Sequence, residues 1–367
     1  MALQIQMTTS NFWVKRYKTI LMGAVLIVLM VSSLCLAESA GQRFFGSPEE
    51  GLKALISALE SKDSKALEAI FGPESEDLVS SGDPVADNAR HGEFIRLYEE
   101  KHRLHRETEQ MVFLYVGKED WPFPIPIAKK DSVWHFDTEA GREEILARRI
   151  GRNELSAIQV CLAVVDAQRE YASKDRNGDG FREYAQKFRS DAGKKDGLYW
   201  ETSEGDEQSP LGPLFAAAQE EGYTPKQSDD RPSPYHGYYY RMLTAQGESA
   251  PGGAYDYMVR GKMLGGFALV AYPAQYGASG IMTFMVNHDG IVYQKDLGED
   301  TKKAAQAMSR FNPDSTWQKA IASHAKTANK PSSVYCDGQV TARKTLLLAA
   351  CANRQMGYRI PEIIGGL

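Results

Sequence analysis

A long helical segment near the middle of the chain, residues 139–172, limits the fold more than any other feature. Thr138 is suited to cap its start, and apolar residues recur three or four positions apart from Ile145 to Ala167. Gly151 allows a break within the helix. Because strand-like segments lie on both sides of it in the sequence, we predict an α+β fold in which this helix links two units.

The segment before this helix, 44–138, predicts helices followed by a small antiparallel sheet. Its third helix is predicted over 86–105, from helical spacing of apolar residues. Strand patterns follow over 111–117 and 131–137. Three prolines in 121–127 predict an edge strand or an extended loop there. We interpret the whole segment as an N-terminal α+β domain.

The segment 139–320 predicts the long helix packed on a second antiparallel sheet. Asp289-Gly290 between two apolar runs is typical of a two-residue hairpin turn. A closing helix is predicted over 300–308, and 323–367 is predicted to be an appended, partly disordered tail. The strands of this second unit are predicted over 238–243, 266–272, 281–287 and 291–294.

The first 37 residues have the order of a secretory signal peptide. A cationic region around Lys15 and Arg16 precedes the apolar run 19–34, and Ala37 completes a small-x-small cleavage site. We therefore predict cleavage after Ala37 and a periplasmic or secreted mature protein. Its membrane contact would be limited to the signal segment before cleavage.

Two alternatives for this leader stay open. An uncleaved anchor would need a span of about 20 apolar residues, which is longer than the run 19–34. A lipoprotein would use Cys35 as its modified residue, with the bulky Leu34 at the position before it where a small residue is needed. Cleavage at Ala37 satisfies the pattern better than either alternative.

Composition excludes some classes of function. The chain has 43% hydrophobic and 25% charged residues, which are ordinary globular values. The net charge of the chain is −5, and the mature chain is more acidic because the predicted leader carries three cations and no acidic residue. With no basic block of five or more residues in the sequence, we expect no nucleic-acid partner.

Three cysteines remain after the predicted cleavage. In an oxidising compartment Cys336 and Cys351 could pair, closing a loop of ~15 residues worth about 3 kcal/mol in the entropic model. Cys161 lies in an apolar run. It is interpreted either as a small buried hydrophobic residue or as a reactive thiol, which would need a nearby base.

Six unusual strings resemble one bacterial family, catalogued as domain of unknown function 2950. The resemblance covers about residues 44–320. It implies an exported protein and brings no assigned activity, so no catalytic residue is carried over. The strings are Ser81-Gly-Asp-Pro-Val-Ala-Asp87, Asp120-Trp-Pro-Phe-Pro-Ile-Pro126, Ile150-Gly-Arg-Asn-Glu154, Asp166-Ala-Gln-Arg-Glu-Tyr171, Tyr235-His-Gly-Tyr-Tyr-Tyr-Arg241 and Val286-Asn-His-Asp-Gly-Ile-Val-Tyr-Gln-Lys-Asp296.

A weaker resemblance concerns residues 150–296. Asn153-Glu154, Ala167-Gln168 and Tyr184 look like the passage from helix to sheet in type IV pilin-like and pseudopilin-like heads. The resemblance implies one helix packed on an antiparallel sheet. Pilin-like subunits begin with their apolar helix, whereas a separate domain precedes the helix here and the segment 148–152 is charged. The resemblance therefore implies the head fold without filament assembly.

An acidic loop after the long helix predicts a calcium site. Asp175, Asn177, Asp179 and Glu183 supply oxygen ligands at positions 1, 3, 5 and 9 of a calcium-type loop, with a glycine at position 6. Gln186 stands at position 12, where an EF-hand has a bidentate glutamate. A polar turn after a helix would have the same composition, so that alternative stays open. We expect no other cofactor.

Several histidines and tyrosines invite functional interpretations that have plain alternatives. His102 and His105, three apart on the predicted helix, would need further ligands to hold zinc, and none is identified, so a solvated charged face explains them better. His236 and His288 flank strands and are typical of surface turns. A dense aromatic group could pack the sheet or offer a face that stacks on a sugar or a peptide. It comprises Trp200 and Tyr235, Tyr238, Tyr239, Tyr240, Tyr255, Tyr257, Tyr272 and Tyr276.

These observations favour an exported, extracytoplasmic protein that is a non-enzymatic binding or assembly module of the cell envelope. Its partner would be an envelope protein or a glycan ligand. The alternative is a hydrolase acting on an envelope polymer, although no catalytic residue is identified. Titratable groups that converge in a cleft would favour the hydrolase, and a flat aromatic face would favour binding.

Overall fold

The structure, a computed structural model, describes residues 41–203, 205–224 and 233–320. Of these, the residues from Arg43 onward belong to one compact unit. Within the described ranges, no helix combines the length and the apolar character needed to cross a bilayer. Three predictions fall outside those ranges: the leader 1–37, the tail 323–367 and the pairing of Cys336 with Cys351.

Helices supply the first part of the fold and one long central element. Side-chain oxygens of Ser47, Asp63, Asp83 and Asp137 accept hydrogen bonds from backbone N–H groups in the first turns of four helices and so set where these begin. The helices of the described residues are α1 (Pro48–Glu60), α2 (Ser64–Phe71), α3 (Glu76–Val79), α4 (Pro84–Glu100), α5 (Thr138–Tyr171), α6 (Gly212–Glu220) and α7 (Thr301–Ala307).

The first sheet is antiparallel and lies between α4 and α5 in the sequence. Its order is β1-β2-β4-β5, with β3 paired to β2, so β1 forms one edge among the described strands. These strands are β1 (His102–Thr108), β2 (Met111–Val116), β3 (Trp121–Pro122), β4 (Ile127–Lys130) and β5 (Val133–Phe136). The proline-rich segment therefore contributes a two-residue strand and otherwise extended chain, as the sequence predicted.

The prediction of one helix over 86–105 is wrong at its C-terminal end. Helix α4 ends at Glu100, and the chain turns directly into β1. Apart from the half-buried Leu104, the residues of β1 are polar and exposed, and none is a proline or glycine that would end a helix. Six register pairs with β2 hold them extended, so tertiary pairing outweighs the weak local preference.

The second sheet is fully antiparallel, with the order β15-β13-β12-β11-β6. Helix α5 packs against β12 and β11, and α7 contacts β11. All six residues of β11 are buried, as expected of a covered central strand. The sheet consists of β6 (Tyr238–Leu243), β11 (Ala268–Pro273), β12 (Met282–Asn287), β13 (Tyr293–Asp296) and β15 (Gln318–Lys319).

Short strands complete the second half. Strand β14 pairs with β7 in parallel, and β7 pairs with β8, while β9 and β10 form a separate hairpin. These are β7 (Ala245–Gln246), β8 (Tyr255–Asp256), β9 (Met258–Val259), β10 (Lys262–Met263) and β14 (Arg310–Phe311). Helices plus several mainly antiparallel sheets confirm the predicted α+β class.

The hydrophobic core falls into two clusters, and α5 contributes to both. The first cluster extends from Phe45 to Ile145 and the second from Ala157 to Phe311. Helix α5 runs through Gly151 without the break that the sequence allowed. One continuous helix therefore carries residues of both cores, while the predicted domain limits stay a prediction.

Candidate functional site

In the acidic loop predicted to bind calcium, the predicted ligands form hydrogen bonds with the backbone of the loop and an ion pair with a lysine. Asp175 accepts hydrogen bonds from the N–H groups of Gly178 and Gly180, both at 2.8 Å, and the bond from Gly180 lowers the pKa of this carboxyl group most. Asp179 forms an ion pair with Lys262, whose Nζ also lies 3.7 Å from Glu183.

Asn177 completes the loop by donating to Glu183 over 2.8 Å. Within the described ranges, no three His, Cys, Asp or Glu side chains are grouped in a way that could hold a metal ion. Lys262 supplies a positive charge beside two of the four predicted ligands, Asp179 and Glu183. The calcium site stays a prediction.

The histidines of β1 do not form the pair that the helix prediction implied. His102 and His105 lie three apart on a strand, and alternation therefore sends their side chains to opposite faces. His102 stacks on Tyr98 with a ring-centroid distance of 3.9 Å, and His105 lies 3.7 Å from Glu107. A zinc pair on one helical face is thereby excluded.

The side chains of His236 and His288 are both half-buried, whereas residues of surface turns are usually exposed. His236 has a positive φ of 51°, packs on the ring of Tyr235 and lies 3.3 Å from Glu221. Burial lowers the pKa of His236. His288 has its Nε2 atom 3.5 Å from the hydroxyl of Tyr255. Both histidines therefore help to pack loops against the second sheet.

The aromatic group of the second half mainly packs inside it. Tyr238, Tyr257, Tyr272 and Trp200 are buried, and among the nine residues only Tyr255 is classed as exposed. Packing explains the group, so it provides no evidence for a sugar site.

Cys161 lies fully buried in the second core. Burial raises the pKa of its thiol to about 12, which keeps the thiol protonated. The interpretation as a small buried hydrophobic residue is confirmed, and a reactive thiol is excluded.

A buried polar network joins the start of α4 to the second half of the chain, and sequence reasoning missed it. Asp83 accepts hydrogen bonds from the hydroxyl of Tyr223 at 2.9 Å and from the N–H of Gly237 at 2.8 Å. It also caps α4 through Ala86. One buried carboxylate thus fixes three separate chain segments.

The same network continues through Arg90. Its guanidinium donates to Asn153 at 3.0 Å and to Asp87 at 3.4 Å, and Asn153 in turn donates to the carbonyl of Ser279 at 2.9 Å. Asp87 accepts from the hydroxyl of Ser81 at 2.6 Å. Ser81 is fully buried and bonded to a carboxylate, so its hydroxyl is a structural donor and not an accessible nucleophile.

A groove on the surface lies between α1 and β1 and encloses about 630 Å³. Leu52 and Ile56 of α1 and Leu104 of β1 give it an apolar lining, and the stacked rings of Tyr98 and His102 also line it. Two acidic and two basic side chains contribute too, and their formal charges cancel. They are Glu49, Glu60, Lys53 and Arg103.

The strand that borders this groove has an unpaired edge in the part of the chain that the structure describes. The N–H of Gly117 donates to the carbonyl of Lys101 over 2.8 Å. Because bonded and non-bonded pairs alternate along an antiparallel ladder, this bond sets the phase of the pairing with β2. The backbone N–H and C=O groups of His102, Leu104 and Arg106 therefore point away from β2.

Comparison with known proteins gives one family. A family model described as "Protein of unknown function (DUF2950)" matches residues 42–320. The chain belongs to this family. No curated protein and no solved structure matches it, so the resemblance to pilin-like heads stays a prediction.

In this DUF2950 protein, three of the strings that carry the family resemblance meet in the buried network. Ser81–Asp87 supplies the two carboxylates, 150–154 supplies Asn153, and 235–241 supplies Gly237. The strings are far apart in the sequence, so their resemblance to the family did not indicate that they lie together. The groove and the edge of β1 lie outside these strings.

Proposed function

We propose that the protein is an exported, extracytoplasmic binding module of the cell envelope. It binds an extended peptide segment of an envelope protein, which adds a strand to the free edge of β1. The observation that carries this proposal is the outward direction of the backbone groups of His102, Leu104 and Arg106, next to a groove with an apolar lining. The leader 1–37 supports export.

The chemistry of the edge favours a peptide over a glycan. A strand edge offers N–H donors and C=O acceptors repeated every second residue, a pattern that another extended peptide matches along its length. Leu52, Ile56 and Leu104 provide apolar contacts for alternate side chains of such a peptide. Glycan hydroxyl groups have no such repeat.

The charges around β1 are mostly paired within the protein. Asp120 lies 3.0 Å from Lys101 and 3.2 Å from Arg103, and Glu100 lies 2.7 Å from Lys118. A ligand would therefore gain little from bulk charge attraction. Backbone pairing and the apolar lining would determine its affinity.

A substitution at Arg106 tests the proposal because its N–H is directed away from β2. Arg106→Pro removes this donor and leaves the ladder with β2 intact, since proline is tolerated on edge strands where its nitrogen faces solvent. We expect the affinity for short peptides selected from a random library to fall about tenfold, which corresponds to one or two lost hydrogen bonds.

Arg106→Ala is the matched control. It removes the same side-chain contacts, with the Trp134 ring at 5.3 Å and with the carbonyl of Glu109 at 3.4 Å, but keeps the N–H. We expect it to bind peptides almost as the wild type does. Bound peptide should also slow amide exchange at His102, Leu104 and Arg106. Equal affinity of the proline and alanine variants, or protection elsewhere only, would overturn the proposal.

The second candidate is a hydrolase acting on an envelope polymer. The observation that favours it is the pair His236 and Glu221, 3.3 Å apart at the outer end of the buried network, with the hydroxyl of Tyr223 close by. A hydrolase would release soluble fragments from a purified, dye-labelled envelope polymer, and His236→Ala would abolish the release. No release by the wild-type protein removes this candidate.

A further inference from the structure

Glu207 is a carboxylate held by three cationic side chains. Its Oε1 atom lies 2.7 Å from Nζ of Lys174 and 3.0 Å from Nη1 of Arg176, and its Oε2 atom lies 3.2 Å from Nζ of Lys195. The hydrogen bonds from Lys174, then Lys195 and Arg176, lower the pKa of Glu207 to about 2. The cluster therefore has an excess of positive charge even with this carboxylate present.

Arg176 is fixed by contacts that do not involve Glu207. Its side chain is only 4% exposed. Nε donates to the carbonyl of Tyr171 at 3.1 Å and Nη2 to that of Glu170 at 3.4 Å, both at the end of α5. The guanidinium lies 5.0 Å from the ring centroid of Tyr171 and 5.2 Å from that of Trp200. The donor aimed at Glu207 is thus preorganised.

Lys195 contacts the same two aromatic residues as Arg176. Its carbonyl accepts from the hydroxyl of Tyr171 at 2.8 Å, and its Nζ lies 5.3 Å from the ring centroid of Trp200. The indole Nε1 of Trp200 donates to the backbone carbonyl of Glu207 at 3.2 Å. That backbone contact stays in place when the side chain of Glu207 is replaced.

Solvent reaches the carboxylate, whose side chain is 35% exposed, and Lys174 beside it is 63% exposed. A carboxylate from another molecule can therefore approach Lys174 and Lys195 directly, and can reach Arg176 where it displaces the carboxylate of Glu207. We propose that Lys174, Arg176 and Lys195 form a binding site for the carboxylates of an acidic peptide, and that Glu207 is an exchangeable internal occupant of this site. The inference is independent of the groove beside β1.

In this proposal the carboxylate of Glu207 competes with external carboxylates for the three cations, and it has the advantage of being part of the same chain. A group linked through a short segment has an effective concentration of about millimolar at its own site. External carboxylates must exceed this concentration to bind the wild-type protein. Removal of the internal carboxylate leaves the three cations without their partner and exposes them to the external ligand.

The test is titration calorimetry of the whole mature protein with tri-glutamate at low ionic strength, with tri-glutamine as the uncharged probe. We expect Glu207→Ala to bind tri-glutamate at least about tenfold more tightly than the wild type and not to bind tri-glutamine. Glu207→Gln removes the charge and keeps the shape, so it should show a smaller gain. The second variant keeps the test valid if the alanine variant does not fold.

Asp191→Ala is the matched control. Asp191 is also held by two lysines, Lys187 at 2.5 Å and Lys194 at 3.1 Å, and its pKa is likewise lowered to about 2. Asp196 also lies near both lysines, 3.0 Å from Lys187 and 3.9 Å from Lys194, and among the described residues no arginine pairs with Asp191. An equal gain for Asp191→Ala would reduce the effect to general charge attraction and overturn the site.

Two further outcomes decide the proposal. Lys174→Ala with Lys195→Ala, added to Glu207→Ala, changes exposed side chains and should cancel the gain. A gain that persists without these lysines contradicts the site. The absence of a gain in both Glu207 variants, with unchanged thermal melting curves, also overturns it.

Discussion

The guanidinium of Arg90 and the side-chain oxygen of Asn153 are 3.0 Å apart in the protein interior, and this hydrogen bond links α4 to the middle of α5. In Asn153→Ala, the guanidinium of Arg90 would keep its hydrogen bond to Asp87 but lose the one to Asn153. The carbonyl of Ser279 would also lose the hydrogen bond that Asn153 donates. Because a buried guanidinium group loses one acceptor and a buried carbonyl group loses its donor, we expect the free energy of unfolding to fall by about 3 kcal/mol, measured by urea titration.

Arg96→Ala is the control for this experiment. Arg96 also lies on α4 and pairs with Glu93, but its side chain is 56% exposed. We expect little or no change in the urea midpoint for this variant. An Asn153→Ala protein as stable as the wild type would show that the network does not contribute to folding stability.

Gly237 occupies a position where a Cβ atom would be both strained and too close to its neighbours. Its φ is 75°, and a Cβ atom there would lie 2.5 Å from Nδ2 of Asn153. Gly237→Ala should therefore lower the free energy of unfolding by about 2–3 kcal/mol, through backbone strain and displacement of Asn153. Gly253→Ala is the matched control, since Gly253 has a φ of 77° and open space around its Cβ direction. Equal losses for the two variants would contradict a clash with Asn153.

His91 makes the fold sensitive to acid. It is buried, neither ring nitrogen has a hydrogen-bond partner within the described residues, and burial lowers its pKa below the usual 6.5. The cations Arg149, Arg90 and Lys62 oppose its protonation, and only Asp87 favours it. The unfolded chain therefore binds this proton first as the pH falls. Stability should decrease below about pH 6.5.

Thermal melting between about pH 7.5 and 5 checks this prediction. His91→Leu removes the titrating group, so its melting temperature should depend less steeply on pH than that of the wild type. Part of the slope should remain, because burial also lowers the pKa of His236. His105→Gln, an exposed position, should keep the wild-type slope. Parallel pH profiles for His91→Leu and the wild type would exclude His91 as the cause.

Lys262 and a calcium ion would compete for the acidic loop. Lys262 pairs with Asp179 and lies near Glu183, so Lys262→Met leaves these carboxylates without their cation. We expect millimolar calcium, compared with EDTA, to raise the melting temperature of this variant more than that of the wild type. The effect should vanish when Asp175→Ala and Asp179→Ala are added. No calcium shift in either protein would reduce the motif to a polar turn.

The proposed export predicts the intact mass of the mature protein. Cleavage after Ala37 leaves Glu38 as the first residue of the mature protein. Intact-mass measurement of protein recovered from outside the inner membrane should match the chain from Glu38 to Leu367. A mass that includes Met1 would indicate an uncleaved anchor, and a lipid adduct at Cys35 would indicate a lipoprotein.

The sequence predicted those helices and strands that are determined by residues close to one another in the chain. Strands β12 and β13 follow from apolar runs around Asp289-Gly290, and α5 follows from helical spacing, although its cap is Asp137 and not the predicted Thr138. Strand β1 could not be predicted in this way. Its polar residues prefer no structure strongly, and β2 is the partner that holds them extended.

The buried network was beyond prediction for a related reason. Asp83 and Tyr223 are separated by 140 positions, and their hydrogen bond depends on how the two halves pack. Asp83 caps α4, and a helix cap is a local feature of the sequence. Nothing local indicates that the same carboxylate also receives the N–H of Gly237. The groove could not be predicted for the same reason, because α1 and β1 are distant in the sequence and meet only in the folded protein.

Helix α5 has consequences for how the molecule responds to force and to truncation. Its 34 residues make a rod about 50 Å long, with Ile145 in one core and Ala157 to Tyr171 along the other. A rod anchored at both ends transmits displacement from one core to the other. A chain cut near the middle of α5 would leave each fragment with an unpaired hydrophobic stripe. The two fragments should therefore fold poorly when they are expressed separately, and the intact protein should unfold in one cooperative transition.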